Sequence, residues 1–277
     1  MTPLLTVLVV LFGGVVAGII GALTGLGGGL VIVPLLTLVL HLPVSQAVGI
    51  SLFGVIATST GAAPRFLGTG LSNVRVALFL QVAASSGALL GALVSHRIPA
   101  QILFLVFGLV MLYSAVMSFI PSAHDKAGAS TDSPLAQRFR LASRYRQGDQ
   151  WVDYKVTGVT PAFGIMIGAG FLSALLGIGS GVFKVLAMDR LMRLPFKVST
   201  ATSNFMIGIT AATSAGYYLS HGDVSPLVAG PVIVGVLAGA YMGAHWMTVL
   251  PVRTLRRVFA VVLCCVALDM LLKGFGL

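Results

Sequence analysis

The chain alternates long apolar runs with short clusters of glycine, proline and basic residues, and the first run, residues 3 to 40, holds no charged side chain. Apolar stretches of about 18 or more residues predict membrane-spanning helices. In the first half the punctuation falls at residues 23 to 28, 42 to 44, 65 to 73 and 96 to 100, which predicts five helical segments. The opening run is too long for a single span: about 38 residues at about 1.5 Å each reach about 57 Å, against a hydrocarbon core of about 30 Å. The cluster GLGGG at 25 to 29 divides it into a full helix, residues 4 to 22, and a short one, residues 29 to 41.

The same organisation returns 152 positions later. Set against itself at that offset without a gap, the chain pairs residues 21 to 115 with 173 to 267, and more than a quarter of the pairs are identical. This composition gives about one in ten by chance. The matches include Gly25 with Gly177, Gly27 with Gly179, Gly29 with Gly181, Pro43 with Pro195, Ser51 with Ser203 and Thr58 with Thr210. The chain therefore reads as a tandem duplication: a first transmembrane repeat (1–120), a polar connecting loop (121–155) and a second transmembrane repeat (156–277).

Composition excludes a water-soluble domain, with 57% apolar residues, 9% charged and a mean hydropathy of +1.02. Seventeen Lys and Arg against seven Asp would suit a nucleic-acid binder, but the basic residues lie almost entirely between the apolar runs, where membrane topology accounts for them. No nucleic-acid partner is expected. The same residues test the number of crossings. If each glycine-broken stretch crosses once, Lys and Arg divide nine to seven between the two faces. If it crosses twice, each half crosses five times and the second half is inverted; one face then collects fourteen, among them Arg65, Arg75, Arg193 and Arg256, and the other keeps Arg97 and Lys273. Cytoplasmic loops produce that asymmetry.

The expected fold is thus an all-α integral membrane protein of ten helical segments in two inverted-topology five-helix repeats, each with a short glycine-broken helix. The central loop is expected on the cytoplasmic side of the plasma (inner) membrane and both termini outside. The first 64 residues carry no Lys or Arg to form a signal peptide's basic region, so the first segment is expected to be retained.

The short segment of each half, about 13 residues or about 20 Å, stops about 10 Å short of a full crossing, so its glycine end lies below the surface. Non-helical backbone at that depth is tolerated only where protein or a water-filled cavity satisfies its amides. Inversion directs Gly25, Gly27, Gly28 and Gly29 from one face, and Gly177, Gly179, Ser180 and Gly181 from the other, toward one central volume. Helix N-termini there would offer N–H groups to an anion. Glycine pairs four apart, such as Gly14 and Gly18 or Gly87 and Gly91, read instead as helix-packing positions. Ser180 raises the alternative of an intramembrane hydrolase, but its repeat counterpart is Gly28 and no general base is placed for it. No enzymatic activity, cofactor or metal site is expected.

The stretch GALTGLGGGLVIVPLL at 21 to 36, partly echoed at 173 to 188, resembles the signature of the TauE/SafE family of sulfite exporters. The resemblance implies a small permease that moves sulfite, sulfoacetate or another sulfur-containing or organic anion across a bacterial plasma membrane. The second copy departs from the pattern, with Ser180 opposite Gly28 and Leu186 opposite Pro34. Under that implication the polar residues of the spans become substrate-binding candidates: Ser51 and Thr58, their counterparts Ser203 and Thr210, and Thr202 and Asn204 beside Ser203. Their hydroxyls and amide suit sulfonate oxygens. Lys184, opposite Ile32, is the basic residue expected inside the membrane, where ionisable groups are costly and usually functional; it could bind the anion's charge, pair with Asp189 or snorkel outward. The function expected is secondary transport of such an anion by alternating access, with an anion channel or a permease for another small organic anion as alternatives. The expected partners are the anion and the lipid bilayer; a coupling proton is a further candidate, with no carrier residue identified.

Overall fold

The computed structural model describes residues 3–94, 133–147, 150–176 and 180–274, with scattered positions between 99 and 116. Helix α1 (Pro3–Thr24) ends at the first glycine cluster, and α2 (Gly29–Pro34) begins after it and widens into a π-helical turn, Leu35–Val39. Helices α3 (Val44–Gly68) and α4 (Val74–Val94) follow, and the described positions from 101 to 116 are helical as well. After a short helix α5 (Pro134–Arg138) and a hairpin of β1 (Ser143–Gln147) and β2 (Gln150–Tyr154), the pattern repeats. Helix α6 is Val159–Leu176, α7 is Gly181–Leu186 with its π-helical turn Ala187–Leu191, α8 is Phe196–Ser220, α9 is Pro226–Val249 and α10 is Val252–Gly274.

The repeat holds to the residue where local signals are strongest. Prolines 43 and 195, which donate no N–H and restrict the residue before them, immediately precede α3 and α8. The π-helical turn follows Pro34 in the first half, which suggests that the missing donor creates it. Leu186 stands in the equivalent place and the turn persists, so it belongs to the repeat and not to the proline. Such turns shift the register of the helix and often accompany functional sites.

Helix α2 folds back along α1: Gly28 lies beside Ala17 and Gly21, and Leu35 beside Gly13. Helix α3 then runs opposite to α2, with Thr58 next to Gly28 and Gly54 next to Ile32. The glycine cluster therefore reverses the chain. Equivalent helices α3 and α8 also cross in opposite directions, Gly49 meeting Tyr218 and Ser59 meeting Gly208. Two matching pairs close the bundle: α1 runs alongside α9, and α4 runs alongside α6, each pair parallel. In both the backbones touch. A Cβ at Gly239 would lie 2.0 Å from the Val15 carbonyl oxygen, and one at Gly87 would lie 1.9 Å from that of Ile167. These are the small-residue contacts that the glycine spacing predicts.

Among the described residues four helices are long and apolar enough to cross a membrane: Leu4–Thr24, Val44–Gly68, Val74–Val94 and Pro226–Val249; Val159–Leu175 is a shorter apolar helix. Helix α1 leaves Leu4, Leu8 and Phe12 exposed, as a lipid-facing helix does. Helix α8 is different. It carries Ser199, Thr200, Thr202, Ser203, Asn204, Thr210 and Ser214, all fully buried. Polar groups that would be costly against lipid sit instead against α3, α4 and α7, so α8 occupies the middle of the molecule.

In the polar segment between the repeats, the described residues 133–147 and 150–155 are folded. Asn73 at the base of α4 donates through Nδ2 to the Leu141 carbonyl and the Tyr154 hydroxyl, both at 2.8 Å, and Arg75 reaches the Arg140 carbonyl at 2.9 Å. Arg144 stacks over Trp151 across the hairpin, 5.1 Å from the ring centre. Burial pushes the Tyr154 hydroxyl up to about 12, so it stays protonated where Asn73 meets it.

Candidate functional site

The first glycine loop is shaped by Gly25 and Gly27, with φ of +73° and +79°, a region that side-chain-bearing residues avoid. Gly28 then opens α2, and its N–H donates to Thr58 Oγ1 at 3.1 Å. In the second loop Gly177 and Gly179 lie outside the described residues, and Ser180 opens α7 with φ +52°. The two loops are in direct contact: a Cβ on Gly181 would lie 2.2 Å from the Gly25 carbonyl oxygen and 2.4 Å from Leu26 Cα.

Helix α8 joins the loops. Ser203 Oγ donates to the Gly25 carbonyl at 2.7 Å and lies 3.4 Å from that of Gly181. Asn204 Nδ2 donates to the Ala22 carbonyl at 2.9 Å, in the last turn of α1, and the Thr200 backbone packs on Gly25. One of the expected N–H groups is taken: Thr58 accepts it from Gly28, and Gly181 meets Gly25 and Leu26 directly, because glycine on both sides removes the side chains that would hold them apart.

Lys184 lies one turn into α7 and is fully buried. Its Nζ donates to Thr210 Oγ1. Thr210 is also within 3.0 Å of the Gln81 amide from α4, which in turn meets Ser85 Oγ at 2.7 Å. Asp189 is not its partner. That carboxylate is held by both terminal nitrogens of Arg256, at 3.1 and 3.2 Å, with Arg190 at 3.8 Å. Lys184 has no carboxylate within ion-pair distance among the described residues. Buried charges are ordinarily paired, so this one needs another compensation. Five buried atoms on α6, α7 and α8, namely Ser173 Oγ, Ser180 Oγ, Thr200 Oγ1, Asn204 Oδ1 and Ser214 Oγ, have no hydrogen-bond partner among the described residues. Few buried polar groups are left in that condition.

The structure brings together Gly25, Gly28, Thr58, Ser180, Gly181, Ser203 and Asn204 at the loop junction, with Lys184 one turn into α7 and bonded to Thr210. Gly27 packs against Val55 and Ile207, and Gly29 is buried at the start of α2. Thr202 turns away and accepts the Asn73 N–H at 2.9 Å, while Ser51 donates to the Val48 carbonyl of its own helix at 2.8 Å. Gln81 and Thr200 are additions. Gln81 is the one amide in the run VALFLQVAAS, a signal present in the sequence; Thr200 is one turn before Asn204.

The chain matches the family "Sulfite exporter TauE/SafE" over residues 10–270. It is similar to "Probable membrane transporter protein YunE" of Bacillus subtilis, 28% identical over 97% of both chains. A second Bacillus subtilis protein, "Probable membrane transporter protein YdhB", is also 28% identical, over 90% of this chain and 91% of its own. A "Probable membrane transporter protein" of Haemophilus influenzae is 27% identical over 96% of this chain and 98% of its own. No solved structure matches. With nearly the whole chain covered, and with the apolar helices already described, the protein belongs to the TauE/SafE family and is a multi-pass membrane protein.

Proposed function

We propose that the protein is a secondary transporter that carries a small sulfur oxyanion or organosulfonate, held at the junction of the two glycine loops with Lys184 as its counter-charge. The observation that carries this reading is the fully buried Lys184, without a carboxylate partner among the described residues, one turn after Ser180, whose buried hydroxyl has no partner among them either. A sulfonate presents three oxygens on one face. The Lys184 ammonium supplies charge, and the Ser180 and Thr200 hydroxyls each supply a donor proton. The family's description as sulfite exporters supports the choice of anion.

The contact between the loops supports alternating access. With Gly181 against Gly25 and Leu26, a guest held at the junction would have to part the loops to enter. A carrier needs such a closed state, whereas an open channel needs a continuous lumen. The antiparallel course of α3 and α8, together with the reversal between α1 and α2, supports an inverted reading in which each half crosses five times. The basic segments between helices, including the hairpin, then face the cytoplasm. Purified protein in liposomes loaded with sulfite, sulfoacetate, thiosulfate or chloride tests the proposal by counterflow. Saturable exchange of a sulfur anion over chloride is the expected result; flux that rises linearly with concentration contradicts it.

A further inference from the structure

A cavity of about 730 Å³ opens at the hairpin end of the bundle, between the last turn of α3, strand β1, the first turn of α8 and the junction of α9 with α10. Arg65, Arg146 and Lys197 line it, and no carboxylate does among the described residues. Lys197 Nζ donates to the Thr248 carbonyl at 3.0 Å, and Arg65 Nη2 reaches Thr248 Oγ1 at 3.4 Å. The two cations thus converge on one neutral residue. Neither has an acidic partner within ion-pair distance among the described residues. Clefts lined by one sign of charge concentrate ions of the other.

A second observation connects this cavity to the glycine loops. Lys197, Thr200 and Asn204 are spaced three and four apart on α8, so they form a stripe on one face, about 10 Å from first to last. The stripe starts in the cavity and ends where Asn204 grips the last turn of α1. Thr200 Oγ1 along it is buried and has no hydrogen-bond partner among the described residues.

We propose that the cavity is a second anion site, a vestibule that collects the oxyanion at the hairpin side and delivers it along Lys197, Thr200 and Asn204 to the loop junction. The proposal rests on the reading of that junction as an anion site. It gives the segment between the repeats a part in transport, since Tyr145 and Arg146 of β1 form one wall. A small sulfonate fills a fraction of the volume, so charge rather than shape would retain it, and a phosphate headgroup offers the same chemistry from the lipid side.

Labelling tests occupancy without requiring transport. In a chain with Cys264 and Cys265 replaced by alanine, Thr69→Cys places a thiol on the cavity wall for reaction with N-ethylmaleimide. Methanesulfonate at about twice its dissociation constant should slow labelling about threefold by simple occupancy, equally in phosphatidylcholine vesicles and in vesicles containing phosphatidylglycerol. The protection should vanish in Arg65→Gln with Lys197→Gln and return when Lys197 is replaced by Arg. Protection that survives loss of both cations overturns the proposal, as does labelling indifferent to methanesulfonate. Slow labelling caused by phosphatidylglycerol alone assigns the cavity to lipid and also overturns it. Lys184→Met separates the two readings: it should raise the substrate constant of counterflow about tenfold or more and leave protection intact. If that constant is unchanged in Lys184→Met while protection is seen, the junction reading fails and the vestibule stands as an anion site.

Discussion

In the first repeat Thr58 directs its hydroxyl to the Gly28 N–H, and the position one turn into the short helix is Ile32, packed against Gly54. In the second repeat the equivalent Thr210 accepts from Lys184, the residue that replaces Ile32, and Ser180 replaces Gly28 with a hydroxyl that has no partner among the described residues. The backbone is duplicated and the chemistry is not. Polar and charged groups have been gathered on one side of the junction, where the first loop supplies a smooth, self-satisfied wall. Under the proposed function an anion held there would meet one cation, not two, which would keep the site from becoming a permanent trap. Conduction and transport both need binding loose enough to reverse.

The largest expected effect breaks this asymmetry at its centre. Lys184→Met should raise the apparent substrate constant in counterflow by about tenfold to a hundredfold, because a charged hydrogen bond contributes about 1.5–3 kcal/mol. Ile32→Met, the same change in the first repeat, should leave the constant within about twofold, since exchange of similar-sized apolar side chains is tolerated. Equal effects at the two positions would mean that the repeats share the substrate evenly.

Gly181→Ala comes next. Its Cβ would meet backbone, not a side chain, at 2.2 Å, so the loops must separate. Overpacking of this kind costs about 1–3 kcal/mol, and thermal unfolding in detergent should show it together with loss of the closed state. Gly28→Ala meets its neighbours only at 3.2 to 3.3 Å, in a helical conformation, and should cost less than about 1 kcal/mol. A reversed order would place the tight contact elsewhere.

Thr58→Val and Thr210→Val sharpen the contrast. Each removes a hydrogen bond worth about 1 kcal/mol, but Thr58→Val should lower the melting temperature and spare the substrate constant, whereas Thr210→Val should shift the constant by releasing Lys184. The smallest effect has opposite signs on two readouts. Ser180→Gly relieves a left-handed residue and should stabilise the protein by about 1 kcal/mol, while weakening substrate binding through loss of the hydroxyl. Stabilisation without weaker binding would remove Ser180 from the site.

Much of the fold was legible because its signals are local. The offset of 152 residues, the glycine break and the prolines before α3 and α8 act within a few residues of themselves, and the helix limits follow them. Lys184 was legible as a charge in an apolar run. What the sequence left open depends on rotation about a helix axis, which tertiary packing sets. Thr202, Ser203 and Asn204 are about 100° apart around α8, so they cannot all face one point. Ser203 and Asn204 reach the loops, and Thr202 reaches Asn73. The closure of the loops was not legible for a related reason: glycine permits contact and cavity alike. In the polar segment the strand formers Tyr145, Trp151, Val152 and Tyr154 sit among so many charges that a connecting loop was the natural reading, yet they form a hairpin against α4.

The most direct test of the account is calorimetric titration of sulfite into the purified protein and into its Lys184→Met and Ile32→Met variants. The account predicts saturable binding in the parent protein and in Ile32→Met, with affinity lowered at least about tenfold in Lys184→Met. An unchanged affinity in Lys184→Met would contradict it.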